Sequence, residues 1–211
     1  MWKFEKKTAE YLLQIKAIKL QPSNPFTWAS GWKSPIYCDN RKTLSFPEVR
    51  SYIRDSFAEM IKDLYPHTEM IAGVATGAIG HGALVADKLG LPFIYVRSEA
   101  KEHGLGNQIE GYFKAGQKVV VIEDLISTGG SSLNAVNALR ESSCDVLGMV
   151  AIFTYDFKKA ADAFALENCR LNTLSNYSVL IETALSTGYI GQSEVETLKN
   201  WRLDPDNWGV K

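Results

Sequence analysis

Two adjacent acidic side chains, Glu123 and Asp124, follow an apolar run and precede a short glycine turn. The segment 119–132 reads VVVIEDLISTGGSS, so hydroxyl side chains and two glycines come soon after the acids. Glycine lets the backbone approach a ligand closely, and backbone amides at the start of a helix bind anions. Carboxylates accept hydrogen bonds from vicinal hydroxyl groups. The pattern therefore favours a sugar phosphate site, with the acids on the sugar and the turn on the phosphate.

This segment differs from the other common phosphate-binding motifs. The chain contains no G-x-x-x-x-G-K-[ST] sequence, and no G-x-G-x-x-G sequence opens the turn. For any single residue, an ordinary helix start with solvated acids is an equally good interpretation. The whole string of acids, hydroxyls and glycines is what indicates binding.

A second polar segment, 98–113, follows a predicted strand and reads SEAKEHGLGNQIEGYF. It contains three glycines and the charged side chains Lys101 and His103, and Arg97 precedes it. Long loops in compact domains are usually either functional or disordered. Function is the better interpretation here, because α/β proteins bind ligands beyond the carboxyl ends of their strands and this loop leaves such an end. Each basic side chain alone would be an ordinary surface residue. Their common place in one glycine-flanked loop predicts a contribution to the same site.

Together these segments resemble a known enzyme family. The string EDLISTGGS closely resembles the phosphoribosyl diphosphate (PRPP) motif of the type I phosphoribosyltransferases. SGWKSPIYCDNR over 30–41 and RSEAKEHG over 97–104 resemble the hood and the mobile catalytic loop of the orotate phosphoribosyltransferases. The resemblance extends from about Phe26 to about Asp156.

The resemblance implies an α/β protein with the type I phosphoribosyltransferase fold: a mainly parallel sheet flanked by helices, a small N-terminal hood and a mobile catalytic loop. It implies a single domain over 1–211, with the hood at about 20–45 plus C-terminal elements and the core at about 46–170. The implied enzyme transfers the 5-phosphoribosyl group from PRPP to orotate. Its products are orotidine 5-phosphate and pyrophosphate, in de novo pyrimidine (UMP) biosynthesis.

The resemblance also assigns roles to residues. Lys101, His103 and Asp124 would be the catalytic residues. Mg²⁺ would be the cofactor, held mainly through PRPP, with no direct metal ligand in the chain. The residues that bind PRPP would be Arg97, Lys101, His103, Glu123, Asp124, Leu125, Ile126, Ser127, Thr128, Gly129, Gly130 and Ser131.

Two further segments complete the implied site. The turn Ala75-Thr76-Gly77 would hold pyrophosphate through its backbone amides, often with a cis peptide bond that does not precede proline. From the residues alone, an ordinary glycine-containing turn between strand and helix is as good an interpretation. Tyr37, Cys38 and Ser127 would contact orotate, whereas the alternative for the hood is a surface hairpin packed on the core.

Three positions differ from many members of the family. Ala29 and Ser98 stand where a basic residue is common, and Thr76-Gly77 stands where some members have Tyr-Lys. Each difference removes a positive charge near the implied position of pyrophosphate.

The implied partners are PRPP, orotate and a second copy of the chain, whose catalytic loop would be shared between the subunits of a homodimer. A purine-base phosphoribosyltransferase and a PRPP-sensing regulator on the same fold are the alternatives. Regulators of that kind usually add a nucleic-acid-binding surface. The chain has 23 basic and 24 acidic residues, a net charge of −1, and no basic stripe, which argues against nucleic-acid binding.

The composition is that of an ordinary globular protein, with 45% hydrophobic and 22% charged residues among 211. The three cysteines lack metal-ligand spacing and indicate reduced thiols in a cytoplasmic protein. The longest uncharged run, Met70 to Ala86, is shorter than the roughly 20 residues of a membrane span, so no membrane association is expected.

The hydrophobic pattern predicts the elements that position these segments. Apolar spacing predicts a first helix over 8–18, a loop or hairpin over 21–36, and a second helix opened by a capping box of Ser45 and Glu48 and ended by Pro66. Strands are predicted at 70–75, 92–97, 118–123, 146–154 and 171–174. They alternate with helices at 79–89, 131–142, 157–167, 178–185 and 193–201. This alternation predicts a mainly parallel sheet with helices on both faces.

Overall fold

A computed structural model describes residues 3–28, 31–97 and 108–209. Its helices are α1 (Glu5–Gln14), α2 (Pro47–Leu64), α3 (Ile79–Leu89), α4 (Gly130–Glu141), α5 (Lys158–Leu166), α6 (Tyr177–Ser186) and α7 (Gln192–Leu203). Four short strands come first: β1 (Ile18–Leu20), β2 (Phe26–Thr27), β3 (Lys33–Ser34) and β4 (Ile36–Cys38). The others are β5 (Met70–Val74), β6 (Phe93–Val96), β7 (Ile109–Glu110), β8 (Lys118–Ile126), β9 (Asp145–Thr154) and β10 (Leu171–Asn176).

A six-stranded sheet forms the centre of the fold, in the order β10-β9-β8-β5-β6-β7. All neighbouring strands are parallel except β6 and β7, which pair antiparallel at one edge. The continuous apolar runs of β5 and β8 explain their central position, because a strand covered on both faces has no polar side to expose. The predicted mainly parallel sheet is confirmed.

The two faces of the sheet carry separate parts of the core. Val120 and Ile122 of β8 pack with apolar residues of α1, α2, α3 and α6. Val119 and Val121, which point the other way, pack with residues of α4 and α5. This alternation is the period-2 pattern of a strand buried on both sides. It fixes the carboxyl end of β8 firmly between two layers of helices.

Most predicted elements agree with the structure to within one or two residues, but three details were wrong. The first helix spans Glu5–Gln14, and Ile18 lies instead in β1, because Lys16 takes a left-handed conformation that ends the helix. Ser45 makes no capping box, because Glu48 accepts a hydrogen bond from Tyr11 Oη at 2.8 Å. The strand that begins at Lys118 continues beyond Glu123 to Ile126.

The hood consists of two antiparallel pairs, β1 with β4 and β2 with β3, so the predicted hairpin is confirmed. A short 3-10 helix, η1 (Asn40–Ser45), leads from β4 towards α2. The hood is fastened to α7, because Trp201 Nε1 donates to the Lys33 carbonyl at 3.2 Å. Trp201 is fully buried and its ring lies 5.6 Å from that of Trp28.

Within the described ranges, no helix is long and apolar enough to cross a membrane.

Candidate active site

The two acidic residues lie at the carboxyl end of β8, in the middle of the sheet. Glu123 is 5% exposed, and its two carboxylate oxygens accept hydrogen bonds from Ser132 Oγ and from the Asp124 amide, both at 2.9 Å. Asp124 is less buried and lines a cavity. The strand therefore presents one carboxylate to a ligand and uses the other to join β8 to the start of α4.

Burial changes the acidity of both carboxyl groups. It raises the pKa of Glu123 well above its ordinary value, and the neighbouring charge of Asp124 adds to this rise. Burial also raises the pKa of Asp124, whereas the Arg41 guanidinium acts in the opposite direction. A cationic ligand centre close to Asp124 would relieve part of this cost.

The turn after β5 approaches Asp124 closely. The Ala75–Thr76 peptide bond is cis, as the family resemblance implied. At Gly77, a Cβ atom would lie 2.4 Å from the Asp124 carboxyl carbon, so a side chain there would have to displace the carboxylate. Glycine is therefore required for the turn and the acid to face one space.

That space is a cavity of about 390 Å³, which we call the acid cavity. It contains three of the sequence-predicted groups: the turn at 75–77, the two acids, and the start of α4. Its lining residues are Cys38, Asp39, Arg41, Val74, Ala75, Thr76, Gly77, Glu123, Asp124, Leu125 and Ser131.

The predicted phosphate segment, 127–131, connects β8 with α4. Gly129 precedes the first residue of α4 with a φ of +87°, a conformation that favours glycine. The amides of the first helical turn lack carbonyl partners within the helix and can bind an anion. Ile126, another predicted PRPP residue, is fully buried under the turn and supports it by packing.

A second cavity of about 250 Å³, which we call the aromatic cavity, lies beside the first. It brings together all three predicted orotate residues, Tyr37, Cys38 and Ser127. Thr27, Trp28, Leu125 and Tyr155 complete its lining. Cys38 and Leu125 line both cavities, so the two spaces meet there.

Sequence reasoning missed several residues that build this site. Tyr155 follows β9 and is 2% exposed; its ring lies 5.2 Å from that of Trp28 and 5.4 Å from that of Phe157. Among the described residues its hydroxyl has no hydrogen-bond partner. Burial raises its pKa well above the ordinary value, so the phenol stays a donor at neutral pH.

Asn40, also missed, ties the hood to the acids. It is 1% exposed, and its Nδ2 donates to the Asp124 carbonyl at 2.6 Å while its Oδ1 accepts from Cys38 Sγ at 3.2 Å. Thr43 Oγ1 donates to the Asn40 carbonyl at 2.6 Å and shares a 3.0 Å hydrogen bond with His81 Nε2. The sequence did contain a signal for Asn40, because the polar residues of CDNR (38–41) come directly after an apolar segment.

Of the predicted loop residues, Arg97 lies within the described part of the chain. Arg97 follows β6, its guanidinium is 3.8 Å from the Glu110 carboxylate, and it lines neither cavity. Lys101 and His103 lie outside the described residues. Their catalytic role stays a prediction.

Comparisons with known proteins agree with the family resemblance from which this site was predicted. Residues 45–185 match the family described as phosphoribosyl transferase domain. The chain is 59% identical to the orotate phosphoribosyltransferase of Phocaeicola vulgatus, over 97% of this chain and 96% of that protein. It is 57% identical to the enzyme of the same name from Listeria monocytogenes, over 97% and 98%. The solved orotate phosphoribosyltransferase of Aeropyrum pernix superimposes with a TM-score of 0.75 at 28% identity, covering 87% of this chain and 99% of that one. The chain therefore belongs to the orotate phosphoribosyltransferases, within the wider family of phosphoribosyl transferase domains.

Proposed function

We propose that the chain transfers the phosphoribosyl group of PRPP to orotate where the acid cavity and the aromatic cavity meet. The observation that carries this proposal is their shared wall at Cys38 and Leu125. PRPP would place its ribose and diphosphate in the acid cavity, and the planar base would occupy the aromatic cavity. The bond from ribose C1 to pyrophosphate breaks, the bond from orotate N1 to C1 forms, and the N1 proton is lost.

Asp124 would accept hydrogen bonds from the ribose hydroxyls and stabilise the positive charge that develops on the sugar as pyrophosphate departs. Its partly exposed carboxylate on the cavity wall supports this role. Glu123 would act mainly by holding Asp124 and Ser132 in place, because both of its oxygens already accept protein hydrogen bonds.

The turn at 127–131 would bind the 5-phosphate through its amides and hydroxyls, and the turn at 75–77 would bind pyrophosphate. Ser127 lines the aromatic cavity and begins the phosphate turn, so it would contact orotate from the phosphate side. Its position fits a residue that sets the distance between base and sugar.

Mg²⁺ would enter with PRPP. Within the described ranges, no three His, Cys, Asp or Glu side chains form a cluster that could hold a metal ion. Mg²⁺ prefers oxygen ligands and keeps several waters, and the Asp124 carboxylate offers oxygens on the wall of the acid cavity, so the site fits an ion carried mainly by the substrate. When bound, the ion would neutralise charge on the departing pyrophosphate.

We also propose a homodimer in which Arg97, Lys101 and His103 of one subunit serve the site of the other. The absence of Arg97 from the lining of both described cavities supports service to a second site. Three free cysteines, two of them buried, suit a reducing compartment, so we place the enzyme in the cytoplasm.

The test of the activity is an assay of the purified protein with PRPP, Mg²⁺ and one base at a time, following the absorbance of orotate. We expect turnover with orotate and none with adenine, guanine or hypoxanthine. Turnover with a purine alone would favour the purine-base enzyme. Tight binding of PRPP without turnover of any base would favour a regulator.

The test of loop sharing mixes two inactive double variants, Lys101→Ala with His103→Ala and Glu123→Gln with Asp124→Asn. If the loops act in trans, half of the exchanged dimers are mixed and each has one intact site, so about a quarter of the parental activity returns. If the loops act within their own subunit, every site keeps a defect and mixing restores nothing. Mass spectrometry of the mixture verifies subunit exchange.

A further inference from the structure

The acid cavity has an uneven balance of charge. Three carboxylates line it, from Asp39, Glu123 and Asp124, but among the described lining residues only Arg41 is a cation. The turn at 75–77 contributes no cationic side chain. A diphosphate entering this cavity would meet acidic groups on most sides, so a cationic donor on its wall is needed for binding.

Arg41 is held at this wall by its neighbours. The preceding residue, Asn40, is buried and donates to the Asp124 carbonyl, which fixes the start of η1 against the end of β8. The Nε of Arg41 then donates to Asp39 Oδ1 at 2.7 Å. The guanidinium is therefore anchored on one edge beside the acids.

The other edge of the guanidinium is available. Arginine has five N–H donors in a planar fork, and one of them is used by Asp39. The described residues provide no acceptor for the two Nη groups. The side chain is 62% exposed, so a ligand can reach these donors.

The electrostatics agree with this position. Although burial raises the pKa of Asp124, the Arg41 guanidinium acts in the opposite direction, so the two groups lie within effective electrostatic range. Asp124 is the carboxylate proposed to bind the ribose, so the nearby Arg41 cation is suitably placed to bind the diphosphate attached to C1 of that ribose.

We propose that Arg41 binds the diphosphate of PRPP and the pyrophosphate product; the inference rests on the proposed function for the identity of the ligand. A guanidinium fork matches phosphate oxygens in a two-point contact. The simpler role, a surface ion pair with Asp39, gives little reason for the arrangement, because exposed ion pairs contribute little to stability.

Isothermal titration with PRPP and, separately, with pyrophosphate, each in the presence of MgCl₂, tests this proposal. We expect Arg41→Gln to weaken both affinities about 10- to 100-fold, the effect of losing hydrogen bonds to a charged group. Arg41→Lys should fall between this variant and the parent, because it keeps the charge and loses the fork. The KM for orotate should stay within about twofold of the parent.

Two controls separate ligand binding from a structural role. Arg54→Gln removes a half-buried arginine that is also paired with a neighbouring aspartate, Asp55, through Nε at 2.9 Å and an Nη at 3.1 Å. Arg54 lines neither cavity, so this change should leave both affinities unchanged. Asp39→Asn removes the anchor but keeps the cation and lowers the negative charge of the cavity, so PRPP affinity should be equal or higher. An affinity within twofold of the parent in Arg41→Gln, or an equal loss in Asp39→Asn and Arg41→Gln, would overturn the proposal.

The activity assay keeps this inference separate from the proposed function. If the parent fails to turn over orotate but binds pyrophosphate through Arg41, the proposed function fails and the anion site stands. If the parent turns over orotate and Arg41→Gln does so with an unchanged KM for PRPP, the inference fails and the function stands.

Discussion

The acid cavity and the aromatic cavity adjoin each other but are built in different ways. The acid cavity is formed mainly by the ends of two neighbouring strands, where the buried Glu123 carboxylate accepts from a backbone amide and a hydroxyl and holds Asp124 in place. The aromatic cavity is formed by packed rings from the hood and from the residue after β9. Charge placement controls the first space, whereas ring packing controls the second.

This difference predicts two kinds of sensitivity. In a polar cavity lined by partly buried charges, a change of one charge or a small displacement alters interactions that burial strengthens. In an aromatic cavity, the loss of one polar atom leaves the packing intact and removes a single contact. We therefore expect changes in the acid cavity to affect turnover strongly, and changes in the aromatic cavity to affect mainly the binding of the base.

The largest effect should come from Asp124→Asn, which keeps the shape of the side chain and removes its charge. We expect kcat/KM to fall on the order of 10²-fold, because the developing positive charge loses its partner. Steady-state kinetics with orotate and PRPP measure this. Asp162→Asn, an exposed change on α5, is the matched control. If kcat/KM of Asp124→Asn stayed within threefold of the parental value, the role given to the acid cavity would be contradicted.

The next effect should come from Gly77→Ala, which changes no charge. The new methyl group would lie 2.4 Å from the Asp124 carboxyl carbon and must push the carboxylate aside. A misplaced catalytic group lowers turnover strongly, so we expect a loss of roughly 10- to 100-fold in kcat/KM. Gly191→Ala, whose Cβ would be 3.7 Å from its nearest neighbour, controls for the substitution itself. Unchanged kinetics would show that the position of Asp124 is not critical.

A smaller effect should follow Tyr155→Phe in the aromatic cavity. Removing one neutral hydroxyl should raise the KM for orotate about 3- to 10-fold, the value of one hydrogen bond, and leave the KM for PRPP unchanged. Tyr177→Phe is the control, because that hydroxyl donates to the Leu198 carbonyl at 2.9 Å in the core and should affect stability instead. An equal rise in both KM values would mean that the two cavities are not separate binding regions.

A last prediction concerns stability rather than turnover: His81, which is hydrogen-bonded to Thr43 of η1, should change how the stability of the fold depends on pH. Burial lowers the pKa of His81 to about 4, so below pH 6.5 the unfolded chain binds a proton that the folded chain excludes. The folded state should lose up to roughly 3 kcal/mol of this contribution as the pH falls from 6.5 to 4. Urea unfolding of the parent and of His81→Gln at a series of pH values measures it. Parallel curves for the two proteins would contradict the assignment.

The same difference explains what the sequence could predict. Most of the acid cavity comes from two short continuous segments: residue types and spacing indicated 123–131, and the family resemblance indicated 75–77. Asp39 and Arg41 complete its wall from the end of the hood, and they were not predicted. The aromatic cavity combines Trp28 and Cys38 of the hood with Leu125 and Tyr155 from two later parts of the chain. Only folding brings these together, and Tyr155 carried no local signal.

The wrong element boundaries have a related cause. Ile15 and Ile18 continue the helical spacing of the first helix, but the left-handed Lys16 ends the helix and frees Ile18 to pair with Cys38 in β4. Glu48 was expected to cap its own helix, yet its partner is Tyr11, 37 residues away. In both cases a tertiary contact outweighed a local preference.

The contact between Trp201 and the hood has a consequence for the order in which the chain is made. Trp201 of α7 donates to the Lys33 carbonyl and lies against both Trp28 and Tyr155, so the wall of the aromatic cavity is supported by an element that is synthesised long after the hood itself. The strands that carry the acid cavity are complete about 75 residues earlier. During translation the nascent chain would thus contain every residue that lines its acid cavity before it contains Trp201. The support for its base site is in place only when the ribosome has released α7.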